Sequence, residues 1–478
     1  MKRRTKFLIL ALVMIQLMLI AGLLVLEPAV RSIPGRYRVA LQERVPVAGR
    51  MLESVIHQVA PVAAALPAAG ETNTTAAVDI NALIAVGSTA VATDTPAPTP
   101  ELTEETATST TLSAGVSQTD TAVPQPTPQP TNTPIPTPTQ TPTPEPLPVA
   151  HVLNGMGVIK QAFNNCGPAN LTQVLNWYGS DITQEDIASY LKPNPEDRNV
   201  SPWQIADYVN QFTAGQFIAS AHSGGTQELV KRLVAAGYPV VIEKGYEVNN
   251  VWYGHYLTVY GYDDELAQFY TQDTNLGPWD GSGRPASYEE VSTYWPQFNY
   301  TFYVVYKPEQ EAEVQAILGP DMVDREAMWR QAAAMAQAEI DANPNDAFAW
   351  FNLGTNLTEL GAMVLEDNAS YYQAAVQAFD KARELGLPPH MLWYQHKPYL
   401  AYSKVDRHQD VLDLANATLL EQGGRNVEET YWYKGNSLAY QGDLYGAKEA
   451  YLSALAVNKN FYSAQISLDW VNSVLSGN

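Results

Sequence analysis

Cysteine occurs once in these 478 residues, at Cys166, so the chain can form no internal disulfide and no cysteine-rich metal centre. Histidine is nearly as scarce: His57, His151, His222, His255, His390, His396 and His408 are scattered, with no pair at metal-ligand spacing. No structural metal and no cofactor are therefore expected. Basic residues are few, with 28 Lys and Arg against 50 Asp and Glu and a formal net charge of −22. Nucleic-acid binding needs clustered cations to neutralise phosphate, so that class of function is excluded. A surface-exposed chain kept soluble by self-repulsion fits better. No Gly-x-Ser-x-Gly elbow occurs, which leaves a serine hydrolase without support.

One long apolar run is present. After MKRRTK, residues 7–26 (FLILALVMIQLMLIAGLLVL) carry no charge and suffice to span a bilayer core as a helix. A cleaved secretory signal has a shorter run and a small-residue cleavage site, whereas Leu26 leads into Glu27-Pro28. Residues 1–30 thus read as an uncleaved signal-anchor. Cations flank both ends (Lys2, Arg3, Arg4 and Lys6; Arg31, Arg36, Arg38 and Arg44), so charge asymmetry alone does not orient it. The short N-terminal tail favours globular domains on the extracytoplasmic side of a cell membrane. Residues 31–66 read as a juxtamembrane helix. From Pro67 to Pro148 there is no Lys, Arg or aromatic residue, and repeats such as TPIPTPTQTPTPEPLP hold the backbone extended. A segment with so little apolar surface cannot bury a core, so residues 67–149 read as a disordered stalk.

Residues 150–308 carry mixed signals. SPWQIADYVNQF opens with Ser201 as a cap and Pro202 at the first helical position, and TQELVKRLVAAG ends a second helix on Gly237. PVVIEKGY, HYLTVYGY, QFYTQD and YTFYVVYKP, rich in β-branched and aromatic residues, follow as strands. Helices first and strands later predict an α+β domain with an antiparallel sheet. Residues 309–478 are helical throughout. Trp350-x-x-Leu353-Gly354-x-x-Leu357 with Ala375-x-x-x-Phe379-x-x-Ala382 recurs as Tyr431-x-x-Lys434-Gly435-x-x-Leu438 with Ala447-x-x-x-Tyr451-x-x-Ala454. This resembles a tetratricopeptide solenoid, with a degenerate copy near Trp393 and a leading helix that ends at Pro344.

The lone thiol stands in FNNCGPANLTQVLNWYG, at the first turn of an amphipathic helix whose apolar stripe is Leu171, Val174, Leu175 and Tyr178. Backbone N–H groups at a helix N-terminus favour a thiolate. A thiolate nucleophile needs a base, and the base needs an orienting group. His255 opens the strand HYLTVYGY. If Asp263-Asp264-Glu265 form the turn and Tyr262 faces Leu266, His255 lies opposite Asp273 and shares its face. Gln161, five residues before the cysteine, is placed to donate to an oxyanion beside the Cys166 N–H. His222 and His151 are the rival bases; His222, in AHSGGT, has no carboxylate at a similarly interpretable spacing. DTNLGPWDGSG lacks the ligand spacing and terminal Glu of a calcium loop.

Gln161-AFNN-Cys166-Gly167-Pro168, then Gly254-His255-Tyr256 and Asp273, resemble the papain-like cysteine peptidases of the bacteriocin-processing (double-glycine leader) type, and more closely their stand-alone branch. The resemblance covers about residues 155–306. It implies Cys166 as nucleophile, His255 as general base and acid, Asp273 as orienting carboxylate and Gln161 as oxyanion donor. Transporter-linked members carry the glutamine six residues before the cysteine, where this chain has Lys160. The expectation is a membrane-anchored cysteine peptidase acting on a peptide or protein substrate, with the repeat groove docking a substrate or partner. An inactive surface scaffold that binds peptides is the alternative from another class. Amidase or transglutaminase-type acyl transfer at the same site is a third reading.

Overall fold

Seven strands and the helices around them form the α+β region, and every strand pairing is antiparallel. They are β1 (Ala150–Val152), β2 (Ile218–His222), β3 (Val240–Val248), β4 (Val251–Asp263), β5 (Gln268–Gln272), β6 (Arg284–Ser287) and β7 (Phe302–Tyr306). The computed structural model describes residues 33–59, 65–70, 78, 80–85, 146–248, 251–364 and 367–477. The sheet runs β2-β7-β3-β4-β5-β6, and β1 adds to β4 at Gly261–Asp263, beyond the stretch that β3 occupies. The long central strands β3 and β4 coincide with the predicted PVVIEKGY and HYLTVYGY runs. The short strands β1, β2 and β6 carry no comparable run and were not expected.

Period-2 alternation gives the sheet two buried faces. Val241, Tyr256, Tyr303 and Val305 pack one way, against Leu171, Val174, Ile187, Ile205 and Val209 of three helices. Val240, Ile242, Leu257, Val259 and Val304 pack the other way, in a core that runs on through Val230 and Leu233 to Trp329, Phe351 and Phe379. The helix Pro202–Phe212 starts as its sequence requires, with Ser201 and Gln204 closing a capping box and Pro202 in the first turn. Thr226 caps the helix Gln227–Ala235 by accepting from the Leu229 N–H.

Beyond residue 310 the described chain is all helix. Two glycines show why the long helices pack closely in antiparallel pairs. A Cβ on Gly354 would lie 2.8 Å from the Phe379 ring, and one on Gly361 would lie 3.1 Å from Tyr371. Gly435 stands in the same relation to Tyr451, at 2.5 Å. The helix Ala347–Met363 lies against the α+β region: Asn352 Nδ2 donates to Pro296 O at 2.7 Å, and Asn356 and Asn299 exchange amide hydrogen bonds at 2.6 and 3.2 Å.

The N-terminal half of the chain departs from expectation. Residues 35–59 form two helices, Gly35–Arg44 and Pro46–Val59, in place of a single juxtamembrane helix. The proposed span at residues 7–26 lies outside the described residues, and among the described residues no helix is long and apolar enough to cross a membrane. The stalk boundaries also change. Residues 67–70 and 80–85 are held on the helical region by Arg383, Asp410 and Arg330. Residues 148–149 are tied to β4 and its turn through Tyr262 and Asp264. Composition counted only what the segment could bury within itself; it took no account of a formed surface with donors waiting for main-chain carbonyls.

Candidate active site

The thiol of Cys166 sits at the first residue of the helix Cys166–Trp177, whose N-cap Asn165 makes no side-chain cap. The first-turn N–H groups are therefore left to the sulfur and its surroundings. Asn164 turns the chain into this helix with a positive φ of 55°. Lys192 fixes that turn: its Nζ donates to Asn164 O at 2.8 Å and to Asp197 O at 2.9 Å, and the residue is 2% exposed.

His255 is buried on β4 beside Gly254, and its ring stands between the sulfur and a carboxylate. One side faces the Cys166 thiol and lowers its proton affinity. The other, Nε2, lies 3.0 Å from Asp273 Oδ1. Asp273 Oδ1 also accepts from the N–H groups of Asn275 (2.9 Å) and Leu276 (2.8 Å). Tyr246 packs against the imidazole at 5.1 Å between ring centroids.

The electrostatics follow from this arrangement. Burial raises the Cys166 pKa, but the His255 hydrogen bond and charge and the Lys192 charge outweigh it and hold the thiol below its ordinary 9.0. Burial likewise lowers His255, yet the Asp273 charge and hydrogen bond, with those of Cys166, carry it up to about 9. Burial raises Asp273, and the His255 charge with three donors brings it down to about 2. These directions favour a thiolate–imidazolium pair beside an ionised carboxylate.

The predicted register is wrong, and the way it is wrong is informative. The loop between β4 and β5 is longer than three residues, so Tyr262 pairs with Phe269 and not Leu266. That odd displacement alone would turn Asp273 away from His255. A bulge at Tyr260, between Val259 and Gly261, takes back one residue, so Val259 pairs with Thr271 and Thr258 with Gln272. Asp273 then comes level with Leu257, diagonal to His255 and on its face.

Gln161 pairs with Thr274, the residue after Asp273 in the loop between β5 and β6. Its N–H donates to Thr274 O at 2.9 Å, and its Oε1 accepts from Thr274 Oγ1 at 2.8 Å. Its Nε2 makes no hydrogen bond among the described residues. Lys160, at the position six before the cysteine, turns its Nζ towards the Trp279 ring at 4.7 Å. The rival His222 is on β2 at the sheet edge, held by Met322 O (3.1 Å) and Ser220 Oγ (2.9 Å), and burial lowers it to about 4. His151 is on β1, opposite Tyr262.

Sequence reasoning missed the residues that connect these parts. Asn170, one turn after Cys166, donates through Nδ2 to Cys166 O (2.9 Å), Tyr256 O (3.2 Å) and Thr274 Oγ1 (3.2 Å). Its Oδ1 accepts from Thr258 Oγ1 (2.7 Å) and Gln173 Nε2 (3.1 Å). One amide thus ties the cysteine helix to β4 and to the loop after β5, which carries Asp273 and, through Thr274, holds Gln161. The available signal was polarity: Asn170 and Gln173 are polar residues spaced like core positions. The helical region adds a wall, where a Cβ on Gly254 would meet Tyr394 at 3.0 Å. Arg198 lies over the Trp393 ring at 5.0 Å and over Phe163 at 5.5 Å.

Residues 152–303 match the model of the Peptidase_C39 like family, which supports a papain-like cysteine peptidase domain of that type. Comparison with curated proteins found no match.

Proposed function

We propose that this chain is a membrane-anchored cysteine peptidase that hydrolyses peptide bonds of a peptide or protein substrate through Cys166, His255 and Asp273. The observation that carries the reading is the buried imidazole of His255, which lies 3.0 Å from Asp273 and acts on the proton affinity of the lone thiol beside it. In this mechanism the Cys166 thiolate attacks the substrate carbonyl carbon, and the oxyanion takes hydrogen bonds from the Cys166 N–H and Gln161 Nε2. The His255 imidazolium gives its proton to the leaving amine, which departs as the carbonyl reforms in a thioester. Neutral His255 then takes a proton from water as its oxygen attacks the thioester, and the thiolate leaves with the acid product. Asp273 stays ionised and holds the ring. The close glycine–aromatic packing of Gly354 on Phe379 and Gly435 on Tyr451 supports the tetratricopeptide reading of the helical region. We assign that region a first role as a wall of the cleft through Trp393 and Tyr394.

The test is the pH dependence of Cys166 alkylation by iodoacetamide in the full chain, with His255→Ala alongside. The expected result is rapid labelling well below the ordinary thiol pKa of about 8.5, slowed at least ~10-fold at pH 6 in the variant. Should Cys166 titrate as a free thiol in both proteins, the peptidase reading falls and a peptide-binding scaffold replaces it.

A further inference from the structure

A second peptide-handling feature lies on the helical region, independent of the catalytic reading. Residues 66–70 (Leu-Pro-Ala-Ala-Gly) are bound there the way a protein binds a ligand peptide. The Leu66 N–H donates to Leu387 O at 3.2 Å. The Pro67 and Ala68 carbonyls accept from Arg383 Nε at 2.8 Å and Nη2 at 2.6 Å. The Gly70 N–H donates to Asp410 Oδ1 at 3.1 Å. Leu66 itself is buried among Phe351, Phe379, Leu387, Leu392 and Leu414.

The receiving side is held by the helical region alone. Arg383 Nη1 donates to Tyr402 Oη and Asp410 Oδ1, both at 2.9 Å, and Arg407 Nε donates to Asp410 Oδ2 at 2.9 Å. These partners fix the guanidinium and balance its charge. They leave Nε and Nη2 directed at successive carbonyls. Recognition is through main chain, with one leucine pocket and small residues after it. Arg330 repeats the device: its Nη1 donates to Leu83 O at 2.7 Å, Tyr371 Oη donates to the same oxygen at 3.0 Å, and Leu83 is buried.

We propose that the groove around Arg383 is a peptide-binding site for an extended, uncharged peptide in which leucine is followed by proline and small residues. Residues 66–70 are its resident ligand in cis, and a free peptide of that chemistry binds by displacing them. The in-cis ligand lowers the apparent affinity for a free peptide by the fraction of chains whose groove is open.

The experiment titrates a fluorescent, end-blocked peptide of residues 62–70 into the full chain and reads anisotropy. Leu66→Asp in the chain empties the groove, and the labelled wild-type peptide should then bind at least ~10-fold more tightly than to the parent. Gly70→Pro, which deletes the N–H that Asp410 accepts, gives the same comparison should Leu66→Asp shift the circular dichroism spectrum. Adding Arg383→Lys, which keeps a cation for Asp410 but loses the forked donors, should weaken binding ~10-fold or more. Equal affinity for parent and both emptied variants overturns the proposal, as does binding that ignores Arg383→Lys. Concentration-dependent dimers of the parent, lost in Leu66→Asp, would overturn the cis assignment in favour of exchange between copies.

Discussion

On the proposed mechanism the chemistry turns on His255, whose proton affinity is set from both sides. Its pKa of about 9 lies above the ordinary 6.5, so its contribution to stability is full below 6.5 and lost as pH rises through about 9. Asp273, at about 2 against an ordinary 3.8, contributes above 3.8 and loses that contribution as pH falls through about 2. On the proposed mechanism the alkaline limb of kcat/KM reports the imidazolium and the acid limb the thiol. Asp273→Asn keeps the shape and removes the charge. Its alkaline limb should fall from about 9 towards 6.5, with kcat reduced ~10²–10⁴-fold. A pH–rate profile checks both, and an unmoved alkaline limb would mean that Asp273 does not set the His255 pKa. The chemistry-bearing residue types were legible in the sequence, since Cys166, His255, Asp273 and Gln161 stand in quotable motifs. Asn170, Thr274 and Lys192 were not. A buried polar residue is recognisable only from the partners it meets, and those lie at Tyr256, Thr258 and Asp197, far along the chain.

At the scale of elements, the α+β region and the helical array meet at a cluster of buried carboxyl groups. Burial, then the neighbouring Glu429 charge, raise Glu428 to about 8, and burial with the Glu428 charge raises Asp197 well above its ordinary value. Each has one buried oxygen without a heavy-atom donor, Asp197 Oδ2 and Glu428 Oε2. A proton shared between the two carboxyl groups satisfies both. Lys192, Arg198 and Glu429 are the other charged groups there, and Asn458 Nδ2 donates to Glu428 Oε1 at 2.8 Å and to Leu191 O at 3.0 Å. A carboxyl whose folded pKa is raised stabilises most below its ordinary 4.5 and loses that contribution as pH rises through about 8. Buried His222, His390 and His396, each lowered to about 4, titrate in the opposite sense. The informative quantity is therefore the difference between Glu428→Gln and the parent. The variant should gain relative thermal stability as pH rises from 5 to 8, by on the order of a few kcal/mol. A difference independent of pH would mean that Glu428 is ionised throughout. Strand order and register show the same limit on what sequence reveals. The long runs of β3 and β4 were legible; the bulge at Tyr260 was passed over although Gly261 beside it is the residue type that marks one, and the parity of the β4–β5 loop is fixed by packing.

On the scale of the whole molecule, the position of the Pro/Thr-rich segment changes the role drawn from its composition. Residues 80–85 and residues from 147 onwards belong to one compact unit, so the segment between them leaves and rejoins the same body. The N-terminal residues reach that body even earlier: the Gly35 N–H donates to Glu196 Oε2 at 2.8 Å, and Arg36 pairs with Glu196 at 3.5 Å. If residues 7–26 span a membrane, the tether is residues 27–34, which reach roughly 25–30 Å when extended, and the cleft works close to the bilayer. This arrangement holds only while Glu196, Arg330, Arg383 and Asp410 grip residues 35–85, which makes it testable by cutting the connection. A protease site inserted after Thr121 should yield two fragments that co-elute on size exclusion and separate only in denaturant. Arg330→Lys with Arg383→Lys should let them part under native conditions, while the circular dichroism of the larger fragment stays unchanged. Fragments of the parent that separate at once would return the segment to the role of a stalk and place the cleft at the end of a long, flexible reach.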